Sequence, residues 1–272
     1  MVPDTRQNRR DAIGVFDSGV GGLTVVRRII ERLPDESVIY LGDTARVPYG
    51  AKSPATVIRY ARACAQMLLQ RGIKLLVVGC NTASACALEV LREELPIPVL
   101  GVIQPGARFA VDTTRNGRIG VIGTLGTVAS RAYPLVIHSL APTVQVFSKA
   151  CPLFVPLAEE GWTEGPVVRE VARAYLGELA GHNIDTLVLG CTHYPLLASV
   201  IAEVVGDGVT LVDSAEAAAG VVAETLETMH LAHPEPGAGS RRFLVSDAPE
   251  TFARVGRRFL CREISDVEWV DF

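Results

Sequence analysis

Two cysteines stand apart by their surroundings. Cys80 closes the apolar run Leu75–Val78 through Gly79 and is followed by Asn81, Thr82, Ala83 and Ser84; Cys191 closes Thr186–Leu189 through Gly190 and is followed by Thr192, His193, Tyr194 and Pro195. In each case a strand-like run gives way to polar residues suited to a helix start, and Pro195 suits a first helical turn. A thiol at such a junction meets a helix dipole and free N–H groups, which favour the thiolate. Two thiols on opposite faces of a substrate carbon can invert it without a cofactor. One, as thiolate, removes a proton while the other, as thiol, delivers one, and the roles exchange with direction. Each thiol needs an orienting partner. Asp17, after the first strand-like run, and His193, two residues beyond Cys191, are the candidates.

Cys64, Cys86, Cys151 and Cys261 lack comparable caps and read as small buried hydrophobes. No CxxC pair occurs, which argues against thioredoxin-type chemistry and a zinc ribbon. His230 and His233 fall in a Pro- and Gly-rich stretch and read as exposed, not as metal ligands. The turn Asp17–Gly22 is polar and glycine-rich and can offer backbone N–H groups to a carboxylate or phosphate. Phe16 stands where a nucleophile elbow has glycine, and no Gly-Lys-Ser/Thr follows, so neither an elbow nor a Walker loop is indicated. Lysine occurs only at Lys52, Lys74 and Lys149, none in a setting suited to a pyridoxal Schiff base. No cofactor and no metal are expected.

The elements that would position these groups alternate along the chain. Strand-like runs are Ile13–Phe16, Ser37–Leu41, Leu75–Val78, Val99–Ile103, Arg118–Ile122, Val144–Phe147, Thr186–Leu189 and Val209–Val212, with a further one at Phe243–Ser246. Several are unbroken Val/Ile/Leu segments, as in strands covered on both faces. Helical patterns at Gly22–Arg32, Ala55–Arg71, Ser84–Glu94, Pro166–Ala180 and Ala215–His230 lie between them. This alternation implies an α/β fold with mostly parallel sheets. Ile13-Gly14-Val15-Phe16 is echoed by Ile119-Gly120-Val121-Ile122, and each stretch later reaches an apolar strand ending in Gly-Cys. Two similar α/β domains follow, each with one cysteine at a strand's C-terminal end, where open α/β sheets bind ligands. The active site is expected in the cleft between them.

At 272 residues, 49% hydrophobic and 21% charged, the chain suits one large or two ordinary soluble domains. A net charge of −4 argues against a nucleic-acid partner. The segment Met1–Ala12 has no apolar core like that of a secretory signal, and no apolar run is long enough to span a membrane. A cytoplasmic protein with no membrane partner is expected.

Several segments resemble the glutamate racemases of the aspartate/glutamate racemase superfamily: Gly14–Thr24, Leu41–Gly50, Gly79–Ala85, Gly101–Ala107, Ile122–Thr124, Cys151–Pro156 and Gly190–Leu197, in that order. The resemblance implies that Cys80 and Cys191 are the catalytic thiols, acting on D- and L-glutamate respectively, with Asp17 and His193 assisting. It implies that Asp17, Ser18, Tyr49, Gly50, Asn81, Thr82, Thr192 and His193 hold the substrate. Asp43 and Glu159 would be further polar residues near the site, or equally helix-cap or surface carboxylates, and Thr124 and Thr127 would add hydroxyl donors. It also implies domains at 1–104 plus 214–272 and at 105–213, a homodimer, and D-glutamate made for peptidoglycan. Other readings are a racemase for aspartate or another acidic amino acid, a thiol hydrolase or decarboxylase using one cysteine, and a regulatory binding protein on a racemase fold.

Overall fold

The computed structural model describes residues 9–272. The reading of the first twelve residues therefore lies largely outside the described residues. Among those described, no helix is long and apolar enough to cross a membrane.

Two wholly parallel sheets organise the chain. The first contains β1 (Ala12–Asp17), β2 (Val38–Gly42), β3 (Ile73–Val78), β4 (Val99–Gly101), β9 (Arg241–Val245) and β10 (Val267–Trp269), in the spatial order β10-β9-β2-β1-β3-β4. The second contains β5 (Arg118–Gly123), β6 (Gln145–Ala150), β7 (Thr186–Gly190) and β8 (Thr210–Asp213), in the order β6-β5-β7-β8. The sequence echo is thus a topological one: β2-β1-β3-β4 and β6-β5-β7-β8 have the same order, with the echoed strands β1 and β5 in corresponding places. Even the close contacts repeat. A Cβ on Gly14 would lie 2.7 Å from Ile73 Cδ1, and one on Gly120 would lie 2.7 Å from Ile184 Cδ1. Glycine at both positions lets a branched side chain from the neighbouring segment pack onto the strand.

Burial follows the apolar runs. Every residue of β1, β2, β3 and β7 is buried, as strands covered by helices on both faces require. Helix α1 (Leu23–Arg32) buries Leu23, Val25, Val26, Ile29 and Ile30, each worth roughly 1.5–3 kcal/mol when removed from water. In α2 (Pro54–Gln70), Pro54 occupies the first turn and Ser53 Oγ accepts from Thr56 N. Helix α8 (Pro166–Ala180) also starts on proline.

Several boundaries and one element differ from expectation. Strand β4 stops at Gly101, because Val102 turns into helical geometry and its N–H goes to Ser84 Oγ at 3.3 Å instead of to the ladder; α4 (Ile103–Thr113) follows at once. Helix α3 (Asn81–Glu94) starts three residues before Ser84, since Cys80 itself is the cap: its Sγ accepts from Ala83 N at 3.5 Å and its carbonyl from Ser84 N at 2.8 Å. Strand β10 has three residues at the sheet edge, too short and too polar to stand out in sequence.

The remaining helices are α5 (Leu125–Ala129), α6 (Ala132–Leu140), α7 (Phe154–Glu160), α9 (Ala198–Val205), α10 (Ser214–Thr228) and α11 (Pro249–Leu260). Two cysteines expected to be buried are not. Cys86 is half-buried, and Cys261 is exposed where α11 ends in left-handed backbone, with Arg27 Nη1 2.9 Å from its sulfur. Cys64 and Cys151 are buried as expected. Lys74 is fully buried on β3, six residues before Cys80, and is paired there with Glu36.

Candidate active site

Strand β3 leads through Gly79 into Cys80 and β7 leads from Gly190 into Cys191, and both cysteines line one cavity of about 170 Å³. Ser18, Tyr49, Gly50, Asn81, Thr82, Thr124, Thr192 and His193 line it as well. The walls between these polar groups are apolar. Val47, Pro48, Ala51, Leu125, Pro152, Val155 and Pro156 supply them, a contribution the sequence reading did not assign.

The two thiols have unlike neighbours. Cys80 is buried, donates toward Ser18 Oγ at 3.8 Å and receives the helix N–H from Ala83. Burial nevertheless pushes its pKa up to about 12, and the Asp17 carboxylate adds to the rise against the two hydrogen bonds. The expectation that the helix start would favour thiolate at Cys80 is therefore corrected: desolvation outweighs the cap, and Cys80 rests as a thiol at neutral pH. On the other side, Cys191 Sγ lies 3.8 Å from His193 Nδ1, and His193 Nε2 meets Glu159 Oε1 at 2.9 Å. Burial alone would lower the histidine's pKa, but hydrogen bonds to Cys191 and Glu159 push it up to about 10. An imidazolium thus stands beside Cys191, where negative charge developing on sulfur meets a cation in a buried setting.

Asp17 ends β1 and is buried behind Ser18 rather than lining the cavity. Its Oδ2 accepts from Gly19 N at 2.9 Å and its Oδ1 has no partner. Burial raises its pKa while His193 lowers it. In the turn that follows, Gly21 makes room for the other half of the site. A Cβ there would stand 2.5 Å from His193 Nδ1 and closer still to Thr192 Oγ1. Gly21→Ala should cost about 1–3 kcal/mol through overpacking, felt largely by His193. Thermal unfolding should show this as a lowered melting temperature; an unchanged one would mean that Thr192 and His193 yield to the added methyl group freely.

Several contacts join the β1–β4 side to the β5–β8 side around the cavity. The hydroxyls of Thr82, Thr124 and Thr127 form a triangle with edges of 2.9, 3.1 and 3.1 Å. Thr124 also caps α5. Thr127 is buried behind Thr82 and Thr124 and is not on the cavity wall. Tyr133 donates to Asn81 Oδ1 at 2.8 Å, which leaves the buried Asn81 Nδ2 without a partner and available to an acceptor. Gly50 packs directly on Thr124, where a Cβ would be 2.7 Å from Thr124 Cβ. The open choice for Asp43 and Glu159 is resolved by their contacts: Asp43 is buried and accepts the Tyr49 hydroxyl, and Glu159 holds His193.

Residues 13–222 match the family of Asp/Glu/hydantoin racemases. The chain belongs to that family. Within it, the chain is 59% identical over 256 residues to the glutamate racemase of Geobacter metallireducens, covering 94% of this chain and 95% of that one. The crystal structure of a glutamate racemase isoform from Bacillus anthracis superposes with a TM-score of 0.93 at 42% identity, covering 96% and 97% of the two chains. That of the Francisella tularensis glutamate racemase in complex with D-glutamate gives 0.91 at 39%, covering 97% and 98%. The family's two-sheet α/β architecture is therefore this chain's own.

Proposed function

We propose that this protein interconverts L- and D-glutamate by a two-base mechanism in which Cys80 and Cys191 exchange a proton with the α-carbon from opposite faces. The observation that carries this reading is the pair of thiols at equivalent strand ends, both opening into one small cavity. Names shared by close relatives point to glutamate rather than aspartate.

In the direction from L- to D-glutamate, Cys191 acts as base. The imidazolium of His193, itself held by Glu159, steadies the charge that collects on sulfur. Cys80 starts as the thiol, the form its burial favours, and delivers its proton to the other face. In the reverse direction Cys80 must give up its proton before it can act, and Asp17 and Ser18 assist from behind it. The substrate's ammonium and carboxylates are held by Ser18, the Tyr49–Gly50 turn, Asn81, Thr82, Thr192 and His193, with Asp17 completing that wall from behind Ser18. Thr124 and Thr127 set the Thr82 hydroxyl.

The chain divides at about 1–104 plus 214–272 and 105–213, so that the cavity lies between two domains. We place the enzyme in the cytoplasm as a homodimer that supplies D-glutamate for peptidoglycan. The reaction is independent of cofactor and metal. After exhaustive dialysis against chelator, the circular-dichroism signal of L-glutamate should decay to zero in the presence of the purified protein. An absolute need for pyridoxal phosphate or a metal ion would overturn the proposal.

A further inference from the structure

Arg46 lies outside the cavity yet connects it to the carboxy-terminal segment. Its guanidinium carbon sits 4.9 Å from the Tyr60 ring centroid and 4.5 Å from that of Phe272. Its Nε donates to Asp43 Oδ1 at 2.8 Å. The same oxygen accepts from Ser246 Oγ at 2.9 Å, and Asp43 Oδ2 accepts the hydroxyl of Tyr49. Tyr49 is a cavity wall, whereas Arg46, Tyr60 and Phe272 are not. The carboxy-terminal segment therefore enters twice: Ser246 bonds Asp43 directly, and Phe272 covers the arginine that bonds it.

A cation over an aromatic face is attracted to the ring's quadrupole, more strongly where water is excluded. Two rings hold the guanidinium where its Nε meets Asp43. Asp43 is wholly buried, so its carboxylate relies on that charged partner to stay placed as the acceptor for Tyr49. The Arg46 side chain is already 21% exposed, so with one ring removed its guanidinium is freer to swing out into water. Asp43 then keeps Ser246 but loses its charged donor, and the turn bearing Tyr49 and Gly50 is held less firmly.

We propose that Arg46, held against the rings of Tyr60 and Phe272, is a positioning residue through which the carboxy-terminal segment holds the Tyr49–Gly50 wall and sets affinity for the substrate rather than the rate of proton transfer. This rests on the reading of the cavity as a glutamate site. The test compares Phe272→Ala, Phe272→Tyr and Phe272→Leu in the full chain. KM and kcat are measured for both enantiomers, and amide hydrogen exchange is followed over residues 43–51.

Phe272→Ala should raise KM about three- to tenfold, from the loss of one cation–π face, with kcat within about twofold and faster exchange over 43–51. Phe272→Tyr should restore both readouts. Phe272→Leu, which keeps bulk but has no π face, should not. Unaltered exchange and KM in Phe272→Ala, a fall in kcat at constant KM, or rescue by leucine equal to that by tyrosine would each overturn the inference. The exchange comparison needs no turnover. A parent protein inert toward glutamate would sink the functional reading and leave this one to be decided by exchange alone.

Discussion

Cys80→Ala and Cys191→Ala are each expected to lose racemisation by about 10³-fold or more, since each removes an acid–base group that the reaction cannot bypass. Incubated with glutamate in heavy water, each variant separates the two half-reactions. A lone thiolate can still remove the α-proton on its own face and return deuterium there, but it cannot deliver to the opposite face. Cys80→Ala should retain slow exchange into L-glutamate, and Cys191→Ala into D-glutamate. The two will not be equally slow. Cys191 keeps the His193 cation beside it, whereas Cys80, with its pKa pushed up to about 12 by burial and by Asp17, should exchange faster as pH rises. Racemisation persisting near the parent rate in either variant would mean that one thiol suffices, and the two-base reading would fail.

His193→Asn is expected to lower turnover by about 10²–10³-fold, with Glu159→Gln milder. The pH profile carries the sharper information. The histidine's pKa in the folded protein is about 10, above its ordinary value of 6.5, so its charge is present at neutral pH and disappears as pH rises through 10. Activity should fall along that limb. Glu159→Gln removes one of the hydrogen-bonded charges that raise the value, so the limb should move to lower pH. The sign for stability is the same. A group whose pKa is raised on folding stabilises fully below its unfolded value and loses that contribution as pH climbs to its folded value. The melting-temperature gap between the parent and His193→Asn should accordingly narrow between pH 6.5 and 10. A limb that stays in place in Glu159→Gln would remove Glu159 from the histidine's environment.

How much of this could be read from the residues alone varied with the length scale. The central strands were legible because unbroken runs such as Leu75–Val78 and Thr186–Leu189 have few other uses, and their ends placed Cys80 and Cys191 together. The repeated order of strands was already present in the echo of Ile13–Phe16 by Ile119–Ile122. Helix α11 went unread, although Phe252, Val255, Phe259 and Leu260 recur at helical spacing and are all buried. What spacing cannot give is partnership between distant segments. Glu159 on His193 and Tyr133 on Asn81 join residues 34 and 52 positions apart. The protonation state of Cys80 was out of reach for a related reason: the helix start is visible in sequence, but the desolvation that overrules it belongs to the packed fold.

The unlike neighbours of the two thiols limit what the enzyme can be made to prefer. L- and D-glutamate are mirror images with equal free energies in solution, so their equilibrium constant is one. The ratio kcat/KM must then be identical in the two directions for the parent and for every variant, at every pH. An imidazolium on one side and a carboxylate on the other cannot bias the final mixture. They can only set which enantiomer fills the site first and which leaves it more slowly. A variant that speeds kcat for one hand must raise KM for that hand in proportion, or kcat/KM for the other hand must rise by the same factor. At low substrate the enzyme is therefore blind to handedness, and its asymmetry emerges only as the site saturates.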